Sequence, residues 1–195
     1  MKRYILIAGV NGAGKSTLYQ SLPSLQEMER VNTDELVRAF GNWRNSSDVL
    51  RAGKIAIRKI HQYISGGVTF NQETTLCGRS ILKYIELAKT KGYMVELHYI
   101  GVDSVEIAKQ RVHHRVLMGG HGVDEELIEK RYRESFANLK IVLNKCDLIA
   151  FYDNSESFRR FAIYRNGSPV RLSKNIPEWY EKYVCEHTER VRNNP

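Results

Sequence analysis

Apolar residues in the first three quarters of the chain fall into two alternating kinds of run. Tyr4-Ile5-Leu6-Ile7-Ala8, Val68-Thr69-Phe70-Asn71-Gln72, the stretch from Tyr93 to Val102, and Leu148-Ile149-Ala150-Phe151-Tyr152 have the length and continuity of strands in a parallel sheet. Glu29-Arg30-Val31-Asn32-Thr33 predicts a shorter strand ending at Asp34. Between these blocks the spacing turns helical. Leu36, Val37 and Phe40 follow Asp34, and Leu50, Ile57, Ile60 and Ile64 follow an N-cap cluster at Ser46-Ser47-Asp48. Ile81, Leu82, Ile85 and Ala88 mark another helix, as do Val105, Ala108, Val112 and Val116 behind Asp103-Ser104. Leu127, Ile128, Tyr132, Phe136, Leu139 and Leu143 line one side of a longer helix from about Asp124. Pro23 cuts the first helix short, and Gly66-Gly67, Gly92 and Gly119-Gly120 end later ones.

Such alternation predicts an α/β fold of three layers, with a mostly parallel sheet of about five strands between helices. Beyond residue 152 the pattern changes. Phe161-Ala162-Ile163-Tyr164, then Asn166-Gly167, then Val170-Arg171-Leu172 predicts a β-hairpin with a type I′ turn. Pro177 opens a last helix around Trp179, Tyr183 and Val184. Hairpin and helix read as an appendage, over about 156–195, of a single domain spanning 1–195; the chain shows no repeat and no low-complexity linker.

Between the first strand and the first helix stands Gly9-Val10-Asn11-Gly12-Ala13-Gly14-Lys15-Ser16, which fits G-x-x-x-x-G-K-[ST] at every fixed position. The backbone N–H groups of such a loop converge on nucleotide phosphates, helped by the positive end of the helix. The predicted contacts are Gly9, Asn11, Gly12, Ala13, Gly14, Lys15, Ser16 and Thr17, with Lys15 at the β/γ-phosphates and the Ser16 hydroxyl on Mg²⁺.

In open α/β sheets, ligands sit beyond the carboxyl ends of the strands. Two acids fall there. Asp34, after the second strand, suits a general base for an attacking hydroxyl, and equally a helix cap. Glu73, after the third, suits a substrate hydroxyl or a water on Mg²⁺, and equally a helix start through Thr74-Thr75. From residue 111 to 133 two helical patterns meet at glycines, with Arg111 and Arg115 one turn apart and Arg131 on the second helix. Arg115 and Arg131 suit a lid that neutralises a phosphoryl-transfer transition state, whereas Arg111 reads as part of a solvated basic face.

Composition narrows little further. The 195 residues include 42% hydrophobic and 27% charged, an ordinary globular balance, with no apolar run approaching a membrane span. The start, Met1-Lys2-Arg3, leads straight into the strand before the phosphate loop, so a cytoplasmic protein is expected. Cys77, Cys146 and Cys185 lack metal or disulfide spacing, and His113-His114 reads as a surface pair. The net charge of +8 suits phosphorylated small molecules or nucleic acid. No arginine-rich run, RNP-like motif or zinc finger supports the latter, so nucleic acid is not the expected partner. Asn144-Lys145-Cys146-Asp147 matches the guanine-selecting N-K-x-D, but it follows a helical pattern and precedes a strand. Ser65-Gly66-Gly67 carries only a fragment of a transporter-ATPase signature.

Gly9 to Ser16, Asn32-Thr33-Asp34-Glu35, Glu73-Thr74-Thr75 and the Arg115…Gly119-Gly120-His121…Arg131-Tyr132 stretch together resemble the zeta toxin family, P-loop kinases that include UDP-N-acetylglucosamine kinases. The resemblance covers about residues 1–155, in the family's order. It implies ATP with Mg²⁺ as donor, Asp34 as base, a substrate role for Glu73, Thr74 and Thr75, and Arg115 and Arg131 at the phosphates. It also implies that Asp153 and Asn154 lie near the adenine, and it raises an antitoxin-like protein partner. An ATP-dependent kinase acting on a small-molecule hydroxyl, a nucleotide-sugar first, is the reading that joins these features. A P-loop ATPase or GTPase switch, and a nucleotide-regulated nucleic-acid-binding protein, are its rivals.

Overall fold

The computed structural model describes residues 1–185. A central seven-stranded sheet runs in the order β2 (Glu29–Val31), β3 (Phe70–Thr74), β1 (Arg3–Ala8), β4 (Met94–Gly101), β5 (Leu148–Asp153), β6 (Arg159–Arg165) and β7 (Ser168–Leu172). The first five in this spatial order are parallel, and β6 and β7 are antiparallel. The expected α/β three-layer fold is present, with two strands more in the one sheet than the parallel count of about five. The hairpin is not a separate appendage: β6 pairs along β5 and continues the sheet. Its turn has Asn166 at φ 49° and Gly167 at φ 76°, the two positive values a type I′ turn needs. The helical part of that segment is described as far as Cys185, as a short helix α8 (Glu178–Tyr180) and a wider turn from Glu181; the rest of the expected appendage lies outside the described residues.

Helices α1 (Lys15–Ser21) and α2 (Pro23–Gln26) separate at Leu22, where Pro23 starts a new helix. Then follow α3 (Thr33–Phe40), α4 (Ser46–Gly66), α5 (Ser80–Thr90), α6 (Val105–Leu117) and α7 (Glu125–Val142). Two caps differ from expectation. Asn32, rather than Asp34, caps α3, accepting from the backbone N–H of Asp34 and Glu35. Asn45 caps α4, and Asp48 instead accepts from the Asn42 N–H at 2.9 Å. The face that α4 buries is also different: Ala52, Ala56, Ile60, Tyr63 and Ile64 go inside, while Leu50 and Ile57 are exposed. Alanines allow close approach where the larger residues would hold the helix off.

The third strand begins two residues later than the apolar run suggests. Gly67, with φ 70°, ends α4, and the Val68 N–H reaches back to the Tyr63 carbonyl at 3.0 Å, closing the helix in a Schellman-type arrangement. Residues 67 and 68 are thereby spent on the helix. The strand runs to Thr74, so Glu73 and Thr74 are its last residues and not part of a following helix.

An aromatic core covers β4, β5 and β6. Trp179 packs its ring 5.7 Å from Tyr99, 5.7 Å from Phe136 and 5.6 Å from Phe161. The Tyr99 hydroxyl meets Ser135 Oγ of α7 at 2.9 Å, so the buried polar atoms are paired. No helix among the described residues is long and apolar enough to cross a membrane.

Candidate active site

Strands β1, β2 and β3 are neighbours in the sheet, so their carboxyl ends deliver the phosphate loop, Asp34 and Glu73 to one edge. Gly9, Gly12 and Gly14 all have positive φ. At Gly9, with φ 146°, a Cβ would stand 2.3 Å from the Ile100 carbonyl oxygen, so only glycine lets the loop lie this close to β4. Gly14 supplies no side-chain cap to α1, which leaves the first-turn N–H groups, at Lys15, Ser16 and Thr17, for an external anion. Ser16 and Thr17 are exposed, and Ala13 is buried with its carbonyl bound by Asn154 Nδ2 at 2.9 Å.

Lys15 is buried inside the loop it follows. Its Nζ donates to the carbonyls of Gly9 at 2.9 Å and Val10 at 3.0 Å. Burial lowers its pKa; the charges of Glu73 and Asp34 pull it up, and those of Arg115 and Arg131 push it further down. These five side chains, named from four separate stretches of sequence, therefore act on one another electrostatically.

A cavity of about 560 Å³ opens at this edge, lined by Lys15, Asp34, Glu73, Thr74, Thr75, His121 and Arg131 among others. Because Asn32 caps α3, the Asp34 carboxylate is not spent on its own helix. Glu73 Oε2 accepts from Arg30 Nη2 at 2.8 Å and Asn32 Nδ2 at 3.1 Å. Thr74 Oγ1 accepts the Leu76 N–H, fixing the bend after β3, and Thr75 lines the cavity.

Arg131 crosses from α7 to the phosphate loop, where Nη1 donates to Asn11 Oδ1 at 2.9 Å. Arg115 is the less settled of the pair: Nε and Nη2 are buried and have no hydrogen-bond partner among the described residues. Two buried guanidinium nitrogens without a partner are costly unless an anion completes them. A triphosphate beside Lys15 is the kind of group that would do so, and the donor set fits one.

Asp153 and Asn154 part company. Asp153 is buried, with Oδ1 accepting from Ser155 and Trp179 Nε1 and Oδ2 3.4 Å from Arg159, so its carboxylate is committed to protein groups. Asn154 alone of the two touches the phosphate loop. Arg111, which reads as solvated from the sequence, instead clasps the loop after β5, donating to the carbonyls of Asn154 at 2.7 Å and Ser155 at 3.1 Å.

Asn144 and Asp147 lie before β5, at the end of the sheet opposite the phosphate loop. There Asp147 Oδ2 accepts the Val95 N–H and Oδ1 pairs with Lys89, so the N-K-x-D match serves as strand-end packing. No group of three or more His, Cys, Asp or Glu could hold a metal ion among the described residues.

His121 has no role legible in the sequence. Its Nε2 lies 3.8 Å from Asp34 Oδ1, and its ring packs on Trp43 with centroids 5.2 Å apart. Burial lowers its pKa; Asp34 opposes that, and Arg115, Arg131 and Arg38 reinforce it. In the sequence it stands between two glycines of the Arg115–Tyr132 stretch, and neither feature points to Asp34.

A family model described as an AAA domain matches residues 5–139, which carry the phosphate loop, Asp34, Glu73, Arg115 and Arg131. The chain belongs to the AAA domain family. An uncharacterized protein of Haemophilus influenzae is 34% identical over 128 residues, 66% of this chain and 91% of that protein. Among solved structures, the AvrRxo1-ORF1:-ORF2 complex with ATP matches with a TM-score of 0.73 at 17% identity, over 94% of this chain and 64% of that one. This AAA domain thus spans less than two thirds of that neighbour. The PezAT toxin–antitoxin system of Streptococcus pneumoniae matches with a TM-score of 0.59 at 18% identity, over 99% of this chain and 86% of that one. Identities this low speak to fold alone: the AAA domain here has a P-loop kinase-like three-layer fold.

Proposed function

We propose that the protein is an ATP-dependent kinase of zeta toxin type, which transfers the γ-phosphoryl group to a hydroxyl of a small molecule, with a nucleotide-sugar as the first acceptor to test. The observation that carries this reading is the meeting of Lys15, Asp34, Glu73 and Arg131 on one cavity large enough for an acceptor. A hydrolytic switch has no need of a second carboxylate-lined chamber beside its phosphate loop. The neighbour crystallised with ATP supports the choice of nucleotide, and the two neighbours solved as protein complexes support an antitoxin-like partner. A cytoplasmic location agrees with the reading.

In the proposed reaction Asp34 takes the proton of the acceptor hydroxyl as its oxygen bonds to the γ-phosphorus, and ADP leaves with the electrons of the broken P–O bond. Glu73, Thr74 and Thr75 orient the acceptor. Lys15 and Arg131 neutralise the transferring group, and Arg115 gains the anionic partner its buried nitrogens lack. Gly9, Asn11, Gly12, Ala13, Gly14, Ser16 and Thr17 cradle the donor, with Asn154 behind them. Mg²⁺, which Ser16 would hold, supplies charge neutralisation at the phosphate oxygens.

The test is a screen of γ-labelled ATP against UDP-sugars, nucleosides and aminoglycosides, with product mass as readout. Asp34→Asn should bind ATP as the wild type does and lose ~10²–10⁴-fold in turnover, the usual worth of a general base. Lys15→Ala should lose transfer while keeping its fold. Wild-type turnover by Asp34→Asn overturns the base assignment. Nucleotide hydrolysis with no labelled product for any acceptor overturns the kinase.

A further inference from the structure

The guanidinium of Arg30 is the most heavily partnered charged group beside the cavity, and the proposed reaction makes no use of it. It leaves β2 with a side chain only 10% exposed. Nη2 donates to Glu73 Oε2 at 2.8 Å, Nη1 to Asn71 Oδ1 at 3.3 Å, and Nε to the two Glu35 oxygens at 3.0 and 3.1 Å. The ring of Tyr19, on the helix after the phosphate loop, lies 3.4 Å from Arg30 Cζ. Asn71 is itself immobile: fully buried, it donates to the carbonyls of Leu25 at 2.9 Å and Glu29 at 3.4 Å. One planar cation thus ties together α1, β2, α3 and β3.

Its effect on Glu73 is specific. Both donors that reach Glu73, Arg30 and Asn32, use Oε2, and Oε1 has no hydrogen-bond donor among the described residues. The Glu73 side chain is 11% exposed, so a carboxylate there needs a fixed counter-charge to stay put. Lys15 lines the same cavity, and its charge and that of Glu73 act on each other. A Glu73 released from Arg30 would have the phosphate-loop lysine as its alternative partner.

We propose that Arg30 is a positioning residue: it holds Glu73 by one oxygen, keeps it off Lys15, and leaves the second oxygen for the acceptor hydroxyl. The acceptor clause rests on the kinase reading; the clause about where Glu73 sits does not. A guanidinium is required because its three nitrogens, spread in one plane, reach Glu35, Asn71 and Glu73 separately, a span that one ammonium nitrogen does not cover. A bystander holding the strands together would lower stability on removal without acting through Glu73.

Three measurements separate these roles. A crystal structure of Arg30→Met should show the Glu73 carboxylate moved away from Asn32 Nδ2. With an acceptor from the screen, Arg30→Met should raise the acceptor KM by ~10–100-fold, the worth of a charge-assisted hydrogen bond, with the ATP KM within about twofold. The double variant Arg30→Met/Glu73→Gln should be no worse than Glu73→Gln alone, because both remove the same contact. Arg30→Lys should recover the melting temperature but not the acceptor KM, and it carries the same comparisons if Arg30→Met does not fold. An unmoved Glu73, or two substitutions whose effects multiply, overturns the proposal. If no acceptor is phosphorylated the kinase reading fails, and the crystal structure still decides what Arg30 does to Glu73.

Discussion

His98, on β4, shows what burial does to a single titratable side chain. Its Nδ1 lies 3.2 Å from the Tyr152 hydroxyl, its ring stacks on Tyr152, and burial lowers its pKa to about 4, opposed by Glu96 and reinforced by Arg3 and Arg160. An unfolded chain takes up this proton near pH 6.5, so between the two values the unfolded state binds more protons than the native one. His98 therefore costs the protein nothing above about pH 6.5 and roughly 3 kcal/mol by pH 4. His98→Phe, which keeps a ring on the sheet, should flatten the fall in stability on acidification relative to wild type, read from urea midpoints at pH 7.5 and 4.5. Equal slopes for the two proteins would remove His98 from the account. Residues also differ in how far the sequence betrays them. Lys15 and Ser16 are legible because one continuous loop carries them, and loop spacing is a sequence property. Arg30 and His121 are not. Their partners stand 43 and 87 positions away, respectively; strand order brings Arg30 to Glu73, and the loop between α6 and α7 brings His121 to Asp34.

Elements were legible where a local cause fixes them. The glycine that ends α4, the Asn-Gly turn between β6 and β7, and Pro23 between α1 and α2 each impose a backbone geometry whatever surrounds them. Illegible were the choices settled by what an element packs against: which face α4 buries, and whether the hairpin stands apart or joins the sheet. Gly101, the last residue of β4, belongs to this second kind. A Cβ there would lie 2.2 Å from the ring of Trp179, so the indole sits directly on the strand's backbone. Gly101→Ala must push the ring away, and overpacking of this kind costs about 1–3 kcal/mol. For a domain of this size the melting temperature should drop by roughly 2–4 °C per kcal/mol. Gly53, where a Cβ would meet nothing within 4 Å, is the control: Gly53→Ala on the same scale should leave the melting temperature level or raise it. Equal losses at the two positions would mean that the contact between β4 and Trp179 is not what Gly101 serves.

At the scale of the molecule, the phosphate loop and the segment around Trp179 are one mechanical unit. Trp179 donates its backbone N–H to Asp103 Oδ1 at 3.0 Å and its Nε1–H to Asp153 Oδ1 at 3.2 Å. Asp153 also accepts from Ser155, and its neighbour Asn154 holds the Ala13 carbonyl of the phosphate loop at 2.9 Å. A chain of contacts therefore runs from the end of the described chain, through the loop after β5, to the donor pocket. Two substitutions distinguish packing from bracing along it. Trp179→Ala empties a site that is 1% exposed and ringed by Tyr99, Phe136, Phe151 and Phe161, at a cost of about 3–5 kcal/mol, and should leave a thermolabile protein. Trp179→Phe keeps an aromatic ring in the site but removes the pyrrole part of the indole with its Nε1–H, leaving Asp153 one donor short, so stability should fall by about 1–3 kcal/mol. If the brace reaches the phosphate loop, Trp179→Phe should also weaken ATP binding severalfold by calorimetry, with the acceptor KM unchanged. An ATP affinity equal to the wild type's, at a lowered melting temperature, would confine Trp179 to the core and leave Asn154 to hold the loop unaided.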